Sequence, residues 1–256
     1  LHSFPTRRSS DLYDEAGLRV ANLTHNDDNE YGGGVMGARG GAIETRSTSF
    51  KPQDGALNTF TNSVHSDLGS YTSVARQNVP LLGLTEKGRQ AIALMNELGI
   101  LIDMSHAGIA TRRDILATSA RPVMLSHTSA KTVYDNGRNL SDAEMRAIAN
   151  AGGLIGCMTS PAALAPMNDR AHHNIERYIQ HLTHMINVAG INHVGLGLHF
   201  CEYLYNRKEY PLVEGLEDAS HAQSIITALL AAGYADDDIE KIAWRNFVCV
   251  FQEVVG

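Results

Sequence analysis

At 256 residues, 43% hydrophobic and 19% charged, the chain has the composition of a folded globular protein and is too apolar for a disordered polymer. A net charge of −7 offers no electrostatic grip on nucleic acid, and no apolar run reaches the roughly 18 residues that cross a bilayer. Three cysteines, Cys157, Cys201 and Cys249, form no CxxC pair and read as buried thiols. The outlying number is twelve histidines, whose neutral imidazoles bind metals and move protons.

In chain order, residues 1–12 (LHSFPTRRSSDL) share no periodicity with the rest of the chain. Residues 2–12 match one translated frame of a common short-read sequencing adapter. They are set aside as a fusion scar would be. Natural sequence is expected to begin near Tyr13, with the true N-terminus lost and the compartment unreadable. Five short apolar runs closed by polar tips predict strands: 18–25 (LRVANLTH), 98–106 (LGILIDMSH), 121–129 (RPVMLSHTS), 152–160 (GGLIGCMTS) and 193–200 (HVGLGLHF). Helical periodicity is expected over 85–98, 111–119, 141–151, 174–189, 219–232 and 236–255. Ser141 and Glu144 have capping-box spacing, and Gly99, Gly152 and Gly190 fall where left-handed caps are needed.

Strands alternating with helices predict an α/β fold with a parallel sheet. A (β/α)8 TIM-type barrel is preferred over a doubly wound sheet. His25, His106, His127 and His199 all stand at the C-terminal tips of strands, where barrel enzymes place their chemistry, and no phosphate-binding glycine loop follows an early strand. The glycine-rich stretch 32–41 reads as a flexible loop, and the long polar segment 26–82 as a candidate lid over the barrel mouth, its rival being a partner contact. Residues 13–256 are read as part of one domain. Two matched Ser-His strand endings, at His106 and His127, suggest a shared metal. Imidazole favours zinc, iron, nickel or copper over magnesium.

The blocks GLTEKGRQAIALMNELGILIDMSHAG, RPVMLSHTSAKTVYDNGRNLSD, HVGLGLHF, EGLEDAS and NFVCVFQEV, in this order, resemble the zinc-dependent membrane (renal) dipeptidase family. Segment 26–82 is the main unmatched insertion. The resemblance implies a metal-dependent hydrolase barrel with two zinc ions and a small dipeptide-like substrate, and it leaves a homodimer open. His106 and His127 match the histidines of the second zinc. Arg138 matches the arginine that holds the substrate carboxylate, and His25 the histidine that reaches the oxyanion of the attacked carbonyl.

Two departures stand out. The family's His-x-Asp and bridging glutamate would lie upstream of Tyr13, so the five strands correspond to strands four to eight. At most a partial second-zinc site is expected, with well under two zinc ions per chain and no dipeptide turnover by this chain alone. Glu15 and Glu44 end no strand and do not replace the missing ligands. His199 stands where the family has an aspartate: an imidazole can move a proton but cannot supply the negative charge an ammonium group prefers. Cys201 and Glu202 also depart from the family's residues. Alternatives are therefore hydrolysis of a lactone, cyclic amide or modified amino acid, or a non-catalytic ligand-binding homologue. His172 and His173 read as a polar connection, His181 and His184 as a solvated helix face, and Trp244 and Phe247 as packing against the barrel wall. His65, His193 and His221 belong to no constellation.

Overall fold

The computed structural model describes residues 17–25, 27–35, 61–65, 71–75, 82–200, 202 and 211–256. The adapter-like residues 1–12, Tyr13, Glu15, Glu44, Cys201 and most of the candidate lid lie outside the described residues. The chain divides into two compact units, one made of Leu1–Asn62, Val74–Met124 and Val250–Gly256, the other of Ser63–Ser73 and Leu125–Cys249.

In the first unit, strand β1 (Val20–Ala21) pairs in parallel with β4 (Leu101–Asp103), Val20 opposite Leu101. The next strand, β5 (Val123–Thr128), continues in parallel, with Ile102 opposite Val123. Between β1 and β4 in sequence, β2 (Thr61–His65) and β3 (Tyr71–Ala75) form a separate two-stranded sheet, of which Ser63–Ser73 is assigned to the second unit. Helix α1 (Glu86–Leu98) begins where Thr85 accepts the Gly88 N–H and turns its Ala91, Ile92 and Met95 face into the core. It ends at Gly99, in the left-handed conformation (φ 68°) with its N–H on the Met95 carbonyl. A Cβ there would also press to 2.9 Å from the Val254 carbonyl oxygen. Helix α2 (Ile109–Thr118) starts two residues earlier than its apolar pattern suggests, because Gly108 supplies the extended cap.

The second unit holds the end of β5, α3 (Asp142–Asn150), β6 (Leu154–Met158), the short α4 (Pro161–Leu164), α5 (Ile175–Ala189), β7 (Val194–Gly197), α6 (Gln223–Ala231) and α7 (Asp236–Glu240). A π-turn (Lys241–Arg245) interrupts the expected final helix before α8 (Asn246–Val255). The Ser141–Glu144 capping box is present in full at α3. Strands β6 and β7 pair in parallel from Ile155 opposite Val194 to Met158 opposite Gly197. Gly156 and Gly197 carry no Cβ because either would run into the Ser126 carbonyl.

The strand order β1-β4-β5-β6-β7 gives a sheet of five parallel strands with helical crossovers, the α/β architecture and strand count expected. The strands are shorter than the apolar runs: β1, β4, β6 and β7 end before their polar tips, whereas β5 keeps Ser126, His127 and Thr128 within the strand. The glycine-rich stretch departs from a flexible loop where it is described. Residues 32–35 are buried, Gly33 exchanges hydrogen bonds with the Thr111 hydroxyl, and Gly34 bridges Ala107. Gly190 has positive φ (89°) but ψ of 150°, so it ends α5 in an extended glycine conformation instead of a left-handed cap. No described helix is long and apolar enough to cross a membrane.

Candidate active site

In the first unit, two of the strand-tip histidines meet. His106 lies just past β4, and His25 past β1; their rings stack with centroids 4.0 Å apart and planes 22° from parallel. His25 is exposed and His106 half-buried. His106 is the one described non-glycine residue with positive φ (67°), a conformation that costs an ordinary side chain about 1–2 kcal/mol. Local bonds hold it there: its carbonyl accepts the Val35 N–H at 2.7 Å, Gly108 N–H donates to Gly33, and Ser105 N–H donates to the Asp103 carboxylate. The same short segment is tied by Asp28, whose carboxylate accepts the Gly34 N–H at 2.9 Å. Burial pushes this carboxyl up to about 6, opposed by that bond and reinforced by Asp27. Sequence reasoning passed over Asp28, which no motif singles out.

In the second unit, His127 stands inside β5, its Nδ1 2.8 Å from the Ser126 hydroxyl, and His199 follows β7. Their rings are 5.1 Å apart and tilted by 40°. His199 is placed by its main chain, which donates to the Thr159 hydroxyl at 2.8 Å. Arg138 lies on the connection after β5 and is only 9% exposed. Its main chain is held on both sides: the N–H donates to the Asn136 side chain, and the carbonyl accepts the Thr128 hydroxyl, both at 2.9 Å. Asn136 and Asn139 in turn donate to the carbonyls of Ala162 and Ala163 after β6. A guanidinium fork so placed suits a planar carboxylate.

Several expectations are corrected around this site. His181 is wholly buried instead of solvated, because it shares the inward face of α5 with Tyr178, Leu182 and Met185. That periodicity was the signal that could have found it. His184 is half-buried and meets Asp142 at 2.8 Å, an acidic neighbour supplied by another helix. His173 is buried although its connection is polar, whereas His172 pairs with Asp169 in the open. Trp244 and Phe247 are 52% and 42% exposed instead of packed, since the inward positions of the last turns are taken by Ile239, Ile242, Asn246 and Val250. Cys157 is buried, and burial pushes its thiol well up, but Cys249 is exposed on α8.

Neutral imidazole is the right donor type for zinc. Among the described residues, however, no three or more His, Cys, Asp or Glu side chains are grouped to hold a metal ion. His106 and His127 therefore match zinc in donor type, while no described group matches it in number.

The sequence and the fold both have known relatives. The family model for membrane dipeptidase (peptidase family M19) matches residues 55–255, which takes in the latter part of the segment read as an insertion. Dipeptidase tcpJ of Claviceps purpurea is 30% identical over 191 residues, covering 74% of this chain and 43% of its own length. A metallopeptidase from Rhodobacter sphaeroides, solved with a phosphinate mimic of the dipeptide L-Ala-D-Ala, superimposes with a TM-score of 0.70 at 23% identity, over 96% of this chain and 58% of that one. A solved dipeptidase of family M19 is 27% identical with a TM-score of 0.60, over 68% and 50%. The chain thus spans less than two thirds of each of these relatives. With the family model matched over most of its length, the chain belongs to the membrane dipeptidase family, peptidase family M19.

Proposed function

We propose that the protein is a zinc-dependent dipeptidase in which this chain supplies the substrate-carboxylate anchor and part of the metal-binding face. The observation that carries the reading is the pairing of strand-tip imidazoles, His25 with His106 and His127 with His199, in a chain of this family. By the family resemblance, His106 and His127 would each be a zinc ligand. When bound, zinc supplies Lewis acidity and a water acidified to near-neutral pKa.

The remaining roles belong to the chain's own side chains. Arg138, buried on a braced loop, takes the dipeptide's terminal carboxylate in a two-pronged hydrogen bond. His25, exposed beside His106, donates to the carbonyl oxygen as it gains charge. His199, with an imidazole where the family has an aspartate, accepts or returns a proton near the substrate amine.

The test is hydrolysis of a dipeptide series, with zinc content measured, by the zinc-loaded protein, by the chelator-stripped protein and after zinc is restored. Turnover lost on stripping and regained with zinc is expected. Metal-independent turnover would overturn the reading. Inert dipeptides together with opened lactones or cyclic amides would replace it with the alternative that His199 motivates.

A further inference from the structure

Helix α5 presents three polar side chains at positions 177, 181 and 184, one stripe at helical spacing. Arg177 and His181 grip the connection between β5 and α3 that carries Arg138, and His184 reaches it through Asp142 at the start of α3. Arg177 donates to the Val133 carbonyl at 2.6 Å and, through Nε, to the Leu164 carbonyl at 3.2 Å. His181 Nδ1 accepts the Ala130 N–H at 3.1 Å, and its Nε2 lies 3.0 Å from the same Leu164 carbonyl. His184 meets Asp142, which also accepts the Thr132 hydroxyl at 2.9 Å. Ala130 is the neck of the connection: it bridges Leu140, and Leu140 N–H donates to Ser129.

His181 is the buried member. A backbone N–H can only donate and a carbonyl can only accept, so the ring must be neutral with its proton on Nε2. We propose that His181 is a positioning residue for Arg138: in this single tautomer it ties the neck of the Arg138 loop to the turn after β6, and so sets where the guanidinium meets the substrate carboxylate. The inference rests on Arg138 being the carboxylate anchor.

The two ring nitrogens can be tested separately. In His181→Asn, Oδ1 takes the place of Nδ1 and can accept the Ala130 N–H. In His181→Gln, Nε2 replaces the ring Nε2 and can reach Leu164, but Ala130 loses its acceptor. KM and kcat are measured on the whole zinc-loaded protein that contains this chain, with a dipeptide and with the same dipeptide amidated at its C-terminus, which has no carboxylate.

The expected result for His181→Gln is a KM for the free acid raised about tenfold with kcat nearly kept, and little change for the amide. His181→Asn should recover most of the loss. Amide exchange at Ala130, which needs no turnover, should quicken about tenfold in His181→Gln and much less in His181→Asn. Arg138→Ala, run in parallel, should lose the preference for acid over amide.

If Arg138→Ala keeps that preference, the anchor reading fails and the inference with it. If Arg138→Ala loses it while His181→Gln weakens acid and amide alike, or His181→Asn is as impaired as His181→Gln, the anchor stands and the positioning role is overturned.

Discussion

The His25–His106 pair and the Arg138 connection are braced in different ways. His25 follows a two-residue strand and is exposed, and its partner His106 sits in a left-handed turn whose carbonyl accepts the Val35 N–H. The Arg138 connection is instead laced to α4 and α5 through Asn136, Asn139, Arg177 and His181, with almost every participant buried or half-buried. A substrate carboxylate must be met by a donor fork already in place. A metal ligand, by contrast, can be drawn into position by the ion's own bonds. On the proposed roles, the bracing of the Arg138 connection serves a group that only protein positions.

The largest expected effect would break the laced side with acid. Burial pushes His181 down to about 4; the Leu164 carbonyl opposes this, and Arg177 and His184 add to it. The unfolded chain then binds a proton that the folded chain refuses between about pH 6.5 and 4. The contribution of His181 is fully present above that window and is lost as pH falls through it, up to roughly 3 kcal/mol. Denaturation midpoints taken across this range should fall, and the His181→Asn protein should show a flatter slope.

Next in size, Arg138→Ala in the whole zinc-loaded protein should reduce kcat/KM for free-acid dipeptides about 100-fold, as loss of a charge-assisted bidentate contact does. Asn139→Ala leaves the Tyr134 and Ala163 carbonyls without their donor and should cost about 2 kcal/mol in urea unfolding.

The smallest effect belongs to the strained side. His106→Val should be about 1 kcal/mol less stable than His106→Gly, because a β-branched residue resists positive φ. Equal stabilities would show that the turn relaxes and that the contrast between the regions is weaker than the geometry implies.

Much of the frame was legible because its causes are local. Thr85, Gly99 and the Ser141–Glu144 pair cap their helices within one turn, and the apolar runs mark the five strands. The strand-tip histidines were legible for the same reason. What escaped depends on partners distant in sequence: Asp142 reaches His184 across 42 positions, and Ala130 reaches His181 across 51. The apolar face of α5 foretells that His181 is buried, but not that Ala130 and Leu164 satisfy its ring. The outward turn of Trp244 and Phe247 depends on which residues of the last helices face the core, and the π-turn at Lys241–Arg245 interrupts that periodicity.

That outward turn decides how unfolding can be followed. Trp244 is the single tryptophan of the chain, half exposed, with the Arg245 guanidinium 5.6 Å from its ring. Its fluorescence already reports a largely aqueous setting in the native state, so denaturation should shift its emission little. Far-ultraviolet circular dichroism, which reads the α5 backbone and its neighbours directly, is the signal on which the stability measurements should rest.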